Sequence, residues 1–396
     1  MPSLPRPRGH LAVMACITVF SLTQGVSYPL LALALRARGH DEAAIGLSAA
    51  MTALGVLLSG FVMAPLVRRL GARWTVLGAS GLGALLYLCY PLLDDYVAWT
   101  VLRLAVGVCA GAAFVVGELW LNQVVRPESR GRSISAYGAV LSAGFAAGPF
   151  LLALTGTEGW PPFLLGAGGC LLTLLLVLWL AGDLPDRPPP APAGALGVWR
   201  AIWLLLTVVG VVAFFDQAVL SLVPVFGAGR GLREEDAALL VAVMVVGNIV
   251  LQVPLGLLAD RLGPRVVMAA ACLIAAGISL LLPSTIAQSW LAWPLLFVWG
   301  ALGFGIYILS LVELGRRFTD DRLLAASAAY AVVWGVGGLA GPAVSGTAME
   351  LAGDEALFWL SALLLTALGL LLLGDLRRAS REAPANADAE GRCPTT

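Results

Sequence analysis

The sequence predicts an all-α integral membrane protein in which twelve transmembrane helices form two pseudo-symmetric six-helix bundles. Three observations carry this prediction. First, apolar residues make up 59% of the 396 residues, only 12% are charged, and mean hydropathy is +0.90. A soluble domain carries about 25% charged residues, and no water-soluble globule of this size hides so much apolar side chain. Second, apolar stretches of the length that crosses a bilayer, about 20 residues, recur twelve times. Third, Arg38-Gly39 recurs as Arg230-Gly231, Gly55 as Gly247 and Arg69-Leu70-Gly71-x-Arg73 as Arg261-Leu262-Gly263-x-Arg265, always 192 residues on. Tyr137, Gly144 and Gly148-Pro149 recur as Tyr330, Gly337 and Gly341-Pro342 at an offset of 193.

Taken in order, the first six spans centre on 11–35, 43–67, 74–93, 97–125, 134–156 and 160–182. Arg6, Arg8 and Ala32-Leu33-Ala34 imitate a secretory signal, but the apolar run is too long for one, so the first span reads as a retained helix. The segment 183–199, DLPDRPPPAPAGALGVW, has a proline run that forbids helix and offers no apolar face, so it reads as a linker. The last six spans centre on 200–228, 236–259, 266–284, 290–315, 324–349 and 355–374. The tail is polar and rich in Ala, Pro, Asp and Glu, the composition of a disordered segment. The expected division is therefore a bundle over 1–182, a cytoplasmic linker over 183–199, a bundle over 200–376 and a disordered cytoplasmic tail over 377–396.

Charge placement sets orientation. All 24 basic residues are Arg and they balance 24 acidic ones, so there is no electrostatic footprint for nucleic acid. With the N-terminus cytoplasmic, only Arg36, Arg38, Arg230 and Arg233 lie outside, Arg103 lies within a span, and the other nineteen are inside. That asymmetry places both termini in the cytoplasm of a bacterial cell, with the chain multi-pass in the inner membrane. The six Cys lie singly, with no metal spacing, and the two His sit near the N-terminus. No metal, no cofactor and no nucleophile–base cluster are expected, so the chain does not read as an enzyme.

Several stretches carry a resemblance to a known family. Gly256-Leu-Leu-Ala-Asp260-Arg261-Leu-Gly263-Pro-Arg265 is similar to the loop signature of the major facilitator superfamily. Arg103-x-x-x-Gly107-x-x-x-Gly111 resembles its fourth-helix motif, and Gly144-x-x-x-Gly148-Pro149 resembles the fifth-helix motif of efflux antiporters. Trp99 through Glu118 to Arg130-Gly131-Arg132, and GALGFGIY at 300–307, look most similar to the bacterial YcaD-like subgroup. The first-half loop departs from the signature, with Arg68 in place of Asp and Ala64 in place of Gly.

The resemblance implies gating residues at Gly256, Asp260, Arg261, Gly263 and Arg265, with Arg69 and Arg73 at the matching first-half positions. Asp260 is expected to face basic residues and a helix end across the interface between halves, a contact made in one conformation and broken in the other. It also implies a central cavity lined by the first, fourth, seventh and tenth spans. Ionisable residues inside a span cost roughly 2.5–3.5 kcal/mol each and normally mark function. Glu313 is accounted for by an i,i+4 pair with Arg317. Glu118 lies eight residues before Arg126, roughly 12 Å inside the membrane and too far along the helix to pair with it. Asp216 lies roughly 24 Å along the seventh span, where Arg103 is expected to face it across the cavity. With Arg103 assigned to Asp216, Glu118 is the proton-accepting group, and Asp216 stays ionised. Proton coupling is thus assigned to Glu118, Asp216 and Arg103.

Candidate solute-binding residues are the neutral polar groups around them: Gln24, Tyr28, Asn122, Gln217, Ser221 and Tyr307. One intramembrane Arg and no Lys disfavour a multiply anionic solute. The expectation is a monomeric secondary transporter that works by alternating access, moving a small neutral, amphipathic or cationic solute. The antiporter motif points to proton-coupled efflux. Alternatives are an importer or uniporter of a small metabolite, and a membrane sensor of the same fold that does not transport. Expected partners are the small solute, protons and the lipid bilayer.

Overall fold

Lipid offers no partner for a backbone N–H or C=O, so a long apolar segment inside it settles into helix. A computed structural model describes residues 7–124, 130–180, 198–286, 289–318 and 320–390, and no strand occurs among them. In chain order the helices are α1 (Pro7–Ala37), α2 (Glu42–Leu70), α3 (Ala72–Cys89), α4 (Tyr96–Val124), α5 (Arg130–Thr155) and α6 (Pro161–Trp179). After a single turn, α7 (Val198–Ala201), come α8 (Trp203–Gly229), α9 (Glu234–Leu262), α10 (Pro264–Thr285), α11 (Ser289–Arg317), α12 (Asp320–Ala352) and α13 (Ala356–Glu390). All except α7 are long and apolar enough to cross a membrane, which makes twelve among the described residues. An even number of crossings puts the start of α1 and the end of α13 on one face, here the terminal face.

Two boundaries differ from expectation or fall out of view. The linker expected over 183–199 lies outside the described residues except for Val198 and Trp199, which open α7. The tail expected to be disordered from 377 is helical as far as Glu390. Its Ala, Arg and Glu are strong helix formers, and the preceding apolar helix supplies the nucleus that a free peptide lacks. Residues 391–396 lie outside the described set.

The sequence repeat survives as a repeat of close contacts. Glycine allows helix backbones to touch, and matching glycines do so in both sets of six. A Cβ on Gly55 would meet the Leu104 carbonyl oxygen at 2.3 Å, and one on Gly247 would meet that of Phe297 at 2.0 Å. Gly107 presses on Thr52 as Gly300 presses on Met244, and Gly148 on Gly25 as Gly341 on Phe214. Gly71 and Gly263 turn the chain between neighbouring spans with the same φ of +88°, a conformation that a side chain disfavours.

Exposed tryptophans mark both membrane boundaries, where amphipathic rings sit at headgroup level. Trp74, Trp179 and Trp203 ring the terminal face, and Trp160, Trp290 and Trp359 the opposite one. The two sets of six meet where α1 packs on α8, α2 on α12 and α5 on α9. α1 and α8 are the most enclosed spans, with 78% and 72% of their apolar windows buried, so the seam between them is the centre of the molecule.

Candidate functional site

The seam is shut at the face opposite the termini. A Cβ on Gly46 of α2 would lie 2.2 Å from the Pro342 carbonyl oxygen of α12, and one on Gly346 would lie 2.4 Å from that of Glu42. These contacts are backbone against backbone. Arg36, whose Nη1 lies 3.5 Å from Glu42 Oε1, reaches over Gly229 of α8. Asp354 approaches the same glycine, whose missing side chain leaves room for both. Nearby, Arg38 lies 3.7 Å above the Trp99 ring, and desolvation there pulls its pKa below the ordinary guanidinium value, partly offset by Asp94.

Moving inward, one hydrogen-bonded chain crosses the seam. Tyr28 of α1 donates from Oη to Gln217 Oε1 of α8 (2.9 Å), and Gln217 Nε2 donates to Asp216 Oδ2 (2.8 Å). Gly338 of α12 makes the seat, since a Cβ there would come within 3.0 Å of Gln217 Cγ. Tyr307 of α11 lies within electrostatic reach of both Asp216 and Glu118, and its ring packs 4.6 Å from that of Trp334. Glu118 is exposed, although Tyr137 of α5 and Tyr307 of α11 both lie close enough to feel its charge. Its carboxylate is thus accessible and flanked by tyrosines from both sets of six.

The structure therefore brings together Tyr28, Asp216, Gln217, Tyr307 and Glu118. It does not bring Arg103 to Asp216. Arg103 is 1% exposed and its Nε donates to Thr52 Oγ1 of α2 (3.1 Å), and no carboxylate lies within ion-pair distance of it among the described residues. The expected pairing fails because Arg103 turns inward among the first four helices, with Tyr28 between it and the seam. Gln24, although it matches Gln217 in the repeat, lines a cavity of about 30 Å3 among α1, α3, α4 and α6. Ser221 is fully buried and its hydroxyl has no hydrogen-bond partner. Asn122 lies on α4, its side chain outside the described set. Nothing in the sequence pattern marks Trp334, whereas Gly338 directly follows the repeated Gly337.

The gating residues also differ from expectation. Asp260 is exposed and pairs with Arg316 (2.9 Å), which belongs to the same set of six, and among the described residues no ion pair carries it across the seam. Gly256 faces open space, Gly263 forms the turn, and Arg69 and Arg261 are exposed. Arg73 lies over the Trp74 ring at 5.5 Å. Arg265 instead reaches into the protein, where its Nε donates to Glu313 (2.9 Å) and its Nη1 to Asp375. Arg317 adds the expected bond to Glu313 at 2.8 Å, so two arginines converge on one buried carboxylate. The position in the first six helices that matches Glu313 is Trp120.

Comparison with known proteins agrees with this architecture. The family model described as Major Facilitator Superfamily matches residues 13–319. The chain is 25% identical over 387 residues to an uncharacterized MFS-type transporter, YfkF, of Bacillus subtilis (strain 168), covering 92% of this chain and 95% of that one. It is 27% identical over 336 residues to the uncharacterized MFS-type transporter YcaD of Escherichia fergusonii, covering 83% and 84%. Similar solved structures include a peptide transporter, POT, in complex with sulfate (TM-score 0.76, 14% identity, 96% and 97% covered). Another is a bacterial homolog of the human lysosomal transporter Spinster, in an inward-facing and occupied conformation (TM-score 0.73, 16% identity, 94% and 97% covered).

Proposed function

Since the chain belongs to the Major Facilitator Superfamily and is a multi-pass membrane transporter, we propose that it exchanges protons for a small neutral, amphipathic or cationic solute, in the direction of export. The observation that supports this most directly is the pair of carboxylates, Glu118 and Asp216, placed on different helices and both within electrostatic reach of Tyr307. In this reading the halves 1–182 and 200–376 rock about the seam, and the terminal face is cytoplasmic. Asp216, held by Gln217 rather than by Arg103, is available to a cationic or hydrogen-bonding group of the solute. Tyr28, Gln217 and Tyr307 complete that side of the cavity.

Glu118 is the proton carrier. Enclosing a charged carboxylate in a closing cavity is expensive, and protonation removes the charge. Proton arrival therefore favours closure around the emptied site, and proton release favours opening. The fifth-helix Gly144-x-x-x-Gly148-Pro149 motif favours antiport over symport. The structural neighbours include nucleoside and peptide transporters and a D-xylose-proton symporter.

Proteoliposomes with an imposed pH gradient test the reading. Wild-type protein should accumulate solute against its gradient, whereas Glu118→Gln should lose accumulation but keep solute exchange, which needs no change in protonation. Asp216→Asn should weaken solute binding instead. Continued accumulation by Glu118→Gln would remove Glu118 from the coupling role.

A further inference from the structure

We propose that Arg103, together with Tyr87 and Tyr90, binds a monovalent anionic group inside the first six helices. The inference does not rest on the transport mechanism above. A guanidinium stays charged in proteins, and burying an unpaired charge costs several kcal/mol. Arg103 is 1% exposed, its Nη1 has no hydrogen-bond partner, and no carboxylate pairs with it among the described residues. Its one side-chain bond uses Nε, to Thr52.

The groups around it are donors without acceptors. Tyr87 and Tyr90 are almost fully buried, lie within electrostatic reach of Arg103, and neither hydroxyl has a hydrogen-bond partner. Ser27 lies beside the Tyr87 hydroxyl but outside hydrogen-bonding geometry. Three orphaned donors from α3, the turn after it and α4 thus lie within electrostatic reach of one another, with one net positive charge among them. Buried polar groups are nearly always satisfied, and an acceptor bearing one negative charge satisfies all three at once. Tyr28 faces the same guanidinium, but its hydroxyl proton is already committed to Gln217.

An open volume touches the cluster at Tyr87. Tyr87 lines a cavity of about 30 Å3 with Cys170 and with Val106, which follows Arg103 by one helical turn on α4. A volume above about 15 Å3 admits a water-sized species. A halide, or a carboxylate head, is of this class. A multiply charged phosphate has no second cation to meet here.

The test follows thermal unfolding of the purified full chain in detergent, in sodium chloride, bromide, formate or gluconate at equal ionic strength. Gluconate is too large for the cavity and serves as the reference. Chloride, bromide and formate should raise the midpoint by about 2–4 °C over gluconate. Tyr87→Phe should weaken that response about tenfold in anion concentration, and Arg103→Gln should abolish it. Tyr87→Phe keeps the test decisive if Arg103→Gln does not insert. Bromide-soaked crystals should show an anomalous peak against Arg103. If chloride and bromide are silent but formate shifts the midpoint in a Tyr87-dependent way, the anionic group is a carboxylate. Equal midpoints in every anion, or a response untouched by Tyr87→Phe, overturn the proposal.

Discussion

Tyr28 and Gln217, 189 residues apart, share one buried hydrogen bond of 2.9 Å across the seam between α1 and α8. It belongs to the conformation in which the face opposite the termini is shut. A net intramolecular hydrogen bond is worth about 1 kcal/mol, a factor of roughly five in a two-state equilibrium. Tyr28→Phe should therefore shift the population about fivefold toward the alternate conformation. The rate at which a membrane-impermeant maleimide labels a cysteine placed at His40 reports that shift, and an unchanged rate would mean that the bond persists in both conformations.

Gly46 and Gly346 should not tolerate a side chain. A Cβ at either position overlaps a facing backbone carbonyl, and backbone cannot swing aside as a flexible side chain can. Gly46→Val should insert normally yet stay open at the opposite face and lose net transport. Loss of a cross-link between cysteines placed at Leu47 and Ala343, with wild-type insertion, is the expected signature.

Two acidic residues of the terminal face should separate cleanly in stability. Glu313 is buried and holds Arg265 and Arg317, so Glu313→Gln leaves two partly buried guanidinium groups without their shared charge. Those arginines are about a quarter exposed, which puts the loss near 2 kcal/mol rather than the 3–5 kcal/mol of a fully buried pair. Asp260 and Arg316 are far more exposed, and Asp260→Asn should change stability by less than about 1 kcal/mol. Thermal unfolding of both variants in one detergent decides the order.

The arginine asymmetry predicts which side the termini occupy. A reporter active only in the periplasm, fused after Thr396, should be silent, and the same reporter inserted between Arg230 and Arg233 should be active. The reverse pattern would invert the orientation.

Much of this architecture is legible in the amino-acid order. The 192–193 offset foretells paired contacts such as Gly55 on Leu104 and Gly247 on Phe297, because the spacing of small residues encodes which helices touch within each set. The meeting of Tyr28 with Gln217 is not encoded in that way. Contacts across the seam depend on which conformation the halves adopt, and periodicity along one helix is silent on that. The same limit explains Asp260, read as a partner across the halves and found with Arg316 on its own side. Arg103 shows a second limit. Its position on the fourth span is plain, but its direction is set by Thr52 and by tyrosines of α1 and α3, which no local pattern announces.

The contact between Gly46 and Gly346 has a kinetic consequence. Where helices interlock through large side chains, parting them requires each knob to leave its hole and find a new rotamer. Two glycine-faced rods have nothing to disengage: they meet as smooth surfaces, held by many weak dispersion contacts that fade gradually with distance. Such a joint behaves like a plain bearing. It seals tightly at rest, and it releases without a steep barrier at every turn of a repeated cycle.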